Sequence, residues 1–93
     1  MTIKTNKPIT FAAVVENYMK EANGRICFFT TVETWTSRKA LEKRLNRQVN
    51  NSDEWMGVMS FRISPNKVSL DEVEAMRKAI DDAEVARIYA MMR

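Results

Sequence analysis

The residues with the clearest capacity for chemistry form a cationic row on one face of a predicted helix. Lys39, Lys43 and Arg47 recur every four residues, so they stack on one side of an α-helix. Arg44 flanks the row on one side and Asn46 on the other. Ammonium and guanidinium groups bind carboxylates and phosphates. We therefore predict that these five residues bind an acidic partner.

The composition of this predicted helix supports a binding role. It contains a single acidic residue, Glu42, so it forgoes most of the stabilising pairs that acidic and basic residues form one turn apart. Each pair of neighbouring cations in the row also destabilises the helix by roughly a few tenths of a kcal/mol, because like charges one turn apart repel. The alternative interpretation is an ordinary solvated surface without a partner.

Three further residues are possible secondary contacts. Trp35 and Trp55 flank the basic segment in the sequence, and Arg38 lies near its start. We expect both tryptophans to be buried in the core. If they were exposed beside cations, they would suit base stacking or a protein interface.

The sequence contains none of the residue sets on which common catalytic sites depend. Histidine is absent, and with it every Ser–His or Cys–His pair and every Cys/His zinc site. The two glycines stand alone, so no glycine-rich phosphate loop is present. Three acidic pairs begin at Asp53, Asp71 and Asp81 and are typical of turns and helix ends. We predict a protein without enzymatic activity, cofactor, metal site or small-molecule substrate.

Length and charge indicate one small domain with a polarised surface. The chain of 93 residues is predicted to form a single domain over 10–93, preceded by an extended segment over 1–9. Nine of the 15 basic residues and four of the 12 acidic residues lie in 1–48, which carries +5, whereas 49–93 carries −2. Such polarity favours attraction to an acidic surface.

Targeting signals and cysteine content predict where the protein acts. The N-terminus has no apolar stretch typical of a signal peptide, and no uncharged run is long enough to cross a bilayer. One cysteine excludes an internal disulfide. We expect a cytoplasmic protein that does not contact membranes.

Hydrophobic periodicity in the first half of the chain predicts two helices around a strand. Residues 10–23 carry apolar side chains at helical spacing and end at an Asn-Gly pair. Residues 25–35 are rich in β-branched and aromatic types, which is typical of a strand. Residues 37–50 form the basic helix, and its apolar stripe faces the core. The members of that stripe are Leu41, Leu45 and Val49.

The second half predicts a strand, a helix and a final strand. Residues 55–63 alternate between apolar and polar types. Ser69 and Glu72 form a capping box that starts the next helix. Its apolar stripe fails near Glu84, so residues 85–92 are predicted as a third strand, with one long C-terminal helix as the alternative. The expected fold is α+β in the order α-β-α-β-α-β, a three-stranded sheet packed by helices.

The chain opens over 5–18 with the stretch Thr-Asn-Lys-Pro-Ile-Thr-Phe-Ala-Ala-Val-Val-Glu-Asn-Tyr. In build, the chain resembles the small phage-encoded anti-CRISPR proteins, and this opening is similar in style to the type I class, which implies a location in the cytoplasm of the bacterial host. The resemblance covers the whole chain in size and style and involves no specific motif, so it assigns no functional residue. It implies a compact, non-catalytic mixed α/β domain that occupies nucleic-acid-contacting surfaces of CRISPR effector complexes.

Two functions are therefore predicted, in order of preference. The first is a binding protein that docks through its basic helix on a bacterial nucleic-acid-handling complex and inhibits it. Its partner is a larger protein or ribonucleoprotein with an acidic or nucleic-acid-occupied surface, and direct contact with nucleic acid is possible. The second is a small DNA- or RNA-binding regulator. The modest net charge of +3 and the lack of a known recognition motif favour the first.

Overall fold

Three strands and two helices make up the fold, and the computed structural model describes residues 7–91 of the chain. In chain order they are β1 (Phe11–Lys20), β2 (Ile26–Trp35), α1 (Arg38–Asn50), β3 (Met56–Ile63) and α2 (Leu70–Met91). The protein is a small α+β domain in which α1 lies on one face of an antiparallel sheet and α2 lies on the other.

The sheet has the strand order β2-β1-β3, which leaves β2 and β3 as edges. Pairing of β1 with β2 is regular along all ten residues. The register between β1 and β3 shifts by one residue: Glu16 lies opposite Ser60, but the next residue, Asn17, lies opposite Val58. Met59 is therefore the extra residue of a bulge. The shift turns Val58 into the core and leaves Met59 exposed.

Two apolar clusters, one on each face of the sheet, hold the helices. The α1 cluster combines side chains of β1, α1 and β3; its buried members are Ala13, Val15, Leu41, Leu45, Val58 and Ile63. The α2 cluster is smaller; its buried members are Ala12, Val32 and Val73. Because both faces of β1 are buried, this strand organises the whole domain.

The predicted helix over residues 10–23 is wrong, because most of this segment is the central strand β1. A strand buried on both faces carries apolar residues at consecutive positions, as at Ala12 and Ala13, and such a run can also match a helical spacing. The Asn-Gly signal lies in the tight β1–β2 connection, where Gly24 adopts a φ of 88°.

The predicted third strand over 85–92 is also wrong, and the alternative of one long C-terminal helix is confirmed over the described residues. Glu84 and Arg87 interrupt the apolar stripe, but the helix continues because the second half of α2 is largely exposed and does not need an unbroken apolar face. Met92 lies outside the described residues.

The order of elements is thus β-β-α-β-α, and not α-β-α-β-α-β. The predicted strands over 25–35 and 55–63, the basic helix and the helix starting after Ser69 are confirmed. The predicted three-stranded sheet is present, although β1 takes the place of the expected C-terminal strand. Of the extended segment over 1–9, residues 1–6 lie outside the described range, and the backbone N–H of Ile9 donates to Val68.

Candidate anion-binding surface on the first helix

Local sequence fixes the phase of α1 and therefore the direction in which its cations point. Ser37 caps the helix, and its Oγ accepts the backbone N–H of Ala40 at 3.2 Å. Leu41 and Leu45 are 1% and 0% exposed beneath the helix. Val49 packs against the same cluster from the last turn. With the predicted stripe buried, the opposite side of α1 faces solvent.

Lys39, Lys43 and Arg47 occupy that solvent-facing side, and all three are exposed. None of their side chains makes a hydrogen bond or ion pair with any other residue in the range 7–91. At a rise of about 1.5 Å per residue, the row extends along about 12 Å of the helix. These three residues are named here the cationic row.

Asn46 lies beside the cationic row, as predicted. The four residues share a shallow open groove with the last residues of the helix; its lining is Lys39, Glu42, Lys43, Asn46, Arg47, Asn50 and Asn51. The amide side chains beside the cations add both hydrogen-bond donors and acceptors to this surface. Glu42 is the one carboxylate in this groove.

Arg44 does not belong to this groove, although the sequence placed it at the edge of the row. Its guanidinium points toward the sheet, 4.0 Å from a carboxylate oxygen of Glu33 and 5.7 Å from the ring centroid of Trp35. Arg38 is also turned toward the fold and donates to the carbonyl oxygen of Ser64 at 3.2 Å. The structure therefore separates three free cations from two that contact the domain itself.

The expectation that both tryptophans are buried is wrong. Trp35 is 48% exposed at the end of β2, and Trp55 is 52% exposed just before β3. Each ring has a cation over it, because Arg44 lies over Trp35 and the ammonium of Lys20 is 5.3 Å from the centroid of Trp55. Both rings stay accessible because they sit at junctions between elements, where packing is one-sided.

Asp53, which the sequence assigned only to a turn, fixes the start of β3 and the position of Trp55. The carboxylate of Asp53 accepts the backbone N–H groups of Trp55 at 2.7 Å and Met56 at 3.0 Å. These two hydrogen bonds hold the pKa of Asp53 below its usual value. The hydroxyl of Tyr18 donates to the Asp53 carbonyl oxygen. An aspartate two residues before a bulky residue in a turn is the signal that could have identified this role.

The two helices give the faces of the sheet opposite charge. Helix α1 has five basic residues and one acidic residue, a net charge of +4. Helix α2 has six acidic and three basic residues, a net charge of −3. The polarity that the sequence showed between its two halves is therefore a polarity between opposite faces of the domain.

Other chemistry is sparse in the part of the chain that the structure describes. No group of three or more acidic or cysteine side chains within 7–91 is placed to hold a metal ion. Within 7–91, neither α1 nor α2 combines the length and the apolar composition that a membrane-spanning helix requires. The Cys27 thiol donates to Glu21, and this hydrogen bond is the main cause that raises the pKa of Cys27.

Comparison with protein-family models, with curated proteins and with solved structures found no match to this chain. The geometry of the surface is therefore the basis for its functional interpretation.

Proposed function

We propose that this protein is a non-catalytic binding protein that docks through the exposed face of α1 on an anionic surface of a bacterial nucleic-acid-handling complex and blocks that surface. The observation that carries the proposal is the cationic row: Lys39, Lys43 and Arg47 are exposed, aligned and free of partners within the described residues. A helix with these side chains gains stability when an anionic partner relieves their mutual repulsion.

The neighbouring cations show why the absence of partners matters. Arg44 and Arg38 lie on the same helix, yet both contact the domain, and Arg44 has a carboxylate nearby. The fold thus uses cations of α1 where they stabilise tertiary structure. The three residues of the row have no such use in the described range, which supports an external partner.

A protein or ribonucleoprotein partner is favoured over free nucleic acid by the charge of the opposite face. The −3 of α2 lies on the far side of a single sheet and weakens long-range attraction to a polyanion. Three aligned cations are also few for a dedicated nucleic-acid binder, whose affinity rises with the number of phosphates neutralised. A compact docking site within a larger complex needs fewer contacts.

The partner class is tested by affinity capture from bacterial lysate, with and without nuclease. Two baits are compared, the native chain and the Lys43→Glu/Arg47→Glu variant, in which two cations of the row are replaced by carboxylates. The matched control is Lys67→Glu/Lys78→Glu, which makes the same change in net charge at two exposed positions outside α1.

The proposal predicts a protein partner that survives nuclease, is retained by the control and is lost by the α1 variant. Addition of the native chain to that partner should then reduce the partner's own binding of nucleic acid. Capture of nucleic acid alone would replace this function by that of a DNA- or RNA-binding regulator. Equal capture by both variants would exclude the α1 face.

A further inference from the structure

The two edges of the sheet differ in how they are protected from other strands. Edge strands that are long, flat and uncharged pair with further strands, and proteins usually blunt them with bulges or charges. Strand β3 has both devices, the bulge at Met59 and the exposed Arg62. Strand β2 pairs with β1 without irregularity, and its residues 26–32 carry no charge.

The hydrogen-bond pattern identifies which groups of β2 point outward. The backbone N–H of Glu21 donates to Arg25, so this pair is a hydrogen-bonded one. Because such pairs alternate along an antiparallel ladder, odd-numbered residues of β2 bond to β1 and even-numbered residues point away from it. The N–H and C=O groups of Ile26, Phe28, Thr30 and Val32 therefore face the free edge.

One of these outward groups is already occupied. The guanidinium of Arg77, on α2, reaches the carbonyl oxygen of Val32 at 3.4 Å. No backbone hydrogen bond within the described residues occupies the outward groups of Ile26, Phe28 and Thr30. The free part of the edge is thus a short stretch centred on Phe28, and Arg77 marks where it ends.

This free stretch is complementary to itself. An antiparallel copy centred on Phe28 pairs each Ile26 with Thr30 of the other copy, so all outward groups of the three residues find partners. The ring of Phe28 is 53% exposed and lies at the centre. It forms one wall of a groove of about 380 Å³, whose other wall is the second half of α2.

Charge next to the edge is also self-complementary. Glu84 and Arg87 line the same groove as Phe28 and form an ion pair of 3.7 Å. A two-fold axis at Phe28 brings the two copies of α2 together in opposite directions. In that arrangement Glu84 of each copy would face Arg87 of the other, a match of charges that a foreign strand would not provide.

We propose that the occupant of this edge is a second copy of the chain, and that two β2 strands join into a six-stranded antiparallel sheet with its two-fold axis at Phe28. The axis is perpendicular to the sheet, so both α1 helices lie on the same face of the dimer. Two cationic rows then point in one direction, although the dimer itself does not depend on what α1 binds.

Proline substitution tests the pairing directly, because proline removes an N–H and is tolerated where an edge N–H faces solvent. Thr30→Pro deletes an outward N–H inside the free stretch, and Thr34→Pro deletes an outward N–H beyond Arg77. Thr30→Val is a further control, because it removes only the side-chain hydrogen bond from Thr30 to Glu16.

Sedimentation velocity over a wide concentration range measures the oligomeric state of the four proteins. The native chain, Thr34→Pro and Thr30→Val should be dimers, and Thr30→Pro should raise the dissociation constant by about tenfold or more. A native chain that remains a monomer at the highest concentration contradicts the proposal and leaves the edge to a strand of another protein. Equal effects of the two prolines also contradict it.

Cross-linking tests the register. Facing residues of a hydrogen-bonded antiparallel pair have Cα atoms about 5.5 Å apart, which a disulfide can span. In a Cys27→Ser background, Phe28→Cys should therefore give a covalent dimer on oxidation, whereas Thr34→Cys should not. Cross-linking of Thr34→Cys but not of Phe28→Cys would overturn the register.

Discussion

Helix α1 and helix α2 cover opposite faces of one sheet, but they are held in different ways. Two leucines of α1 are fully buried, Ser37 caps its start, and Ser52 links its end to Val58 of β3. Helix α2 is nine residues longer and buries only Val73 fully. Its capping residue Ser69 is buried and accepts the N–H of Glu72, so α2 is anchored mainly at its start.

The difference shows how a small domain can display charge. Repulsion within a row of like charges destabilises a helix. Such a helix is stable only where burial of its apolar side offsets the repulsion. Helix α1 meets this condition because Leu41 and Leu45 are fully buried and Val49 packs partly buried against the same cluster. On α2 most apolar side chains beyond Ile80 are exposed, and basic residues form ion pairs with acidic ones at Lys78–Asp82 and Glu84–Arg87.

The largest expected effect comes from truncating the buried stripe of α1. Leu45→Ala should lower the free energy of unfolding by about 2–5 kcal/mol, because the side chain is fully buried and its loss leaves a cavity. Ile88→Ala on α2 should change it by about 0.5 kcal/mol or less, because Ile88 is half-exposed. Urea unfolding of the two variants measures both values, and similar losses would remove the contrast between the helices.

An intermediate effect is expected in the connection that ties the end of α1 to β3. A Cβ at Gly57 would clash with the Cβ of Ser52, whose Oγ is held by hydrogen bonds with Gln48 and Val58. Gly57→Ala should therefore cost about 1–3 kcal/mol.

The matched control for this glycine is the one in the β1–β2 connection. Gly24 has open space around its Cβ position and a φ of 88°, so Gly24→Ala should cost about 1 kcal/mol from backbone strain alone. Thermal unfolding compares the two variants. A native-like midpoint for Gly57→Ala would show that Ser52 can move and that this end of α1 is not fixed.

The smallest effect concerns Asp53 and pH. Hydrogen bonds from Met56 and Trp55 lower the pKa of Asp53 in the folded state. Its contribution to stability is therefore present above the ordinary aspartate range and is lost as pH falls through the folded pKa. Asp53→Asn should be slightly less stable than the native chain at neutral pH and equal to it in strong acid. A difference that grows on acidification would contradict this assignment.

Helix α1 was predicted correctly because its apolar spacing, its capping residue and the positions of its cations all indicate the same helix. Leucines at Leu41 and Leu45 match a helical stripe, Ser37 supplies a cap, and the cations fall on the opposite side. For the same reason the exposure of Lys39 and Lys43 could be predicted. The function assigned to that face remains a prediction.

The rest of the fold depended on tertiary context that spacing alone does not contain. Strand β1 reads as a helix because it is central and apolar on both faces, as Ala12 and Ala13 show. The last turns of α2 were predicted as a strand because a packed helix would put Glu84 and Arg87 on its buried face; in the structure this part of α2 is largely exposed, so those charges carry no penalty. The inward turn of Arg44 depends on Glu33 and Trp35, which only pairing of β2 with β1 brings into place.

The most direct test of the central claim is the affinity of the captured partner for three purified proteins, measured over a range of salt concentrations. These are the native chain, Lys43→Glu/Arg47→Glu and the control Lys67→Glu/Lys78→Glu. The account predicts that affinity of the native chain falls with salt, that the control behaves like it, and that the α1 variant loses about 30-fold or more, which corresponds to about 2 kcal/mol. Full affinity of the α1 variant for the partner would contradict the claim that the cationic row is the docking site. An affinity of the native chain that does not change with salt would also contradict it.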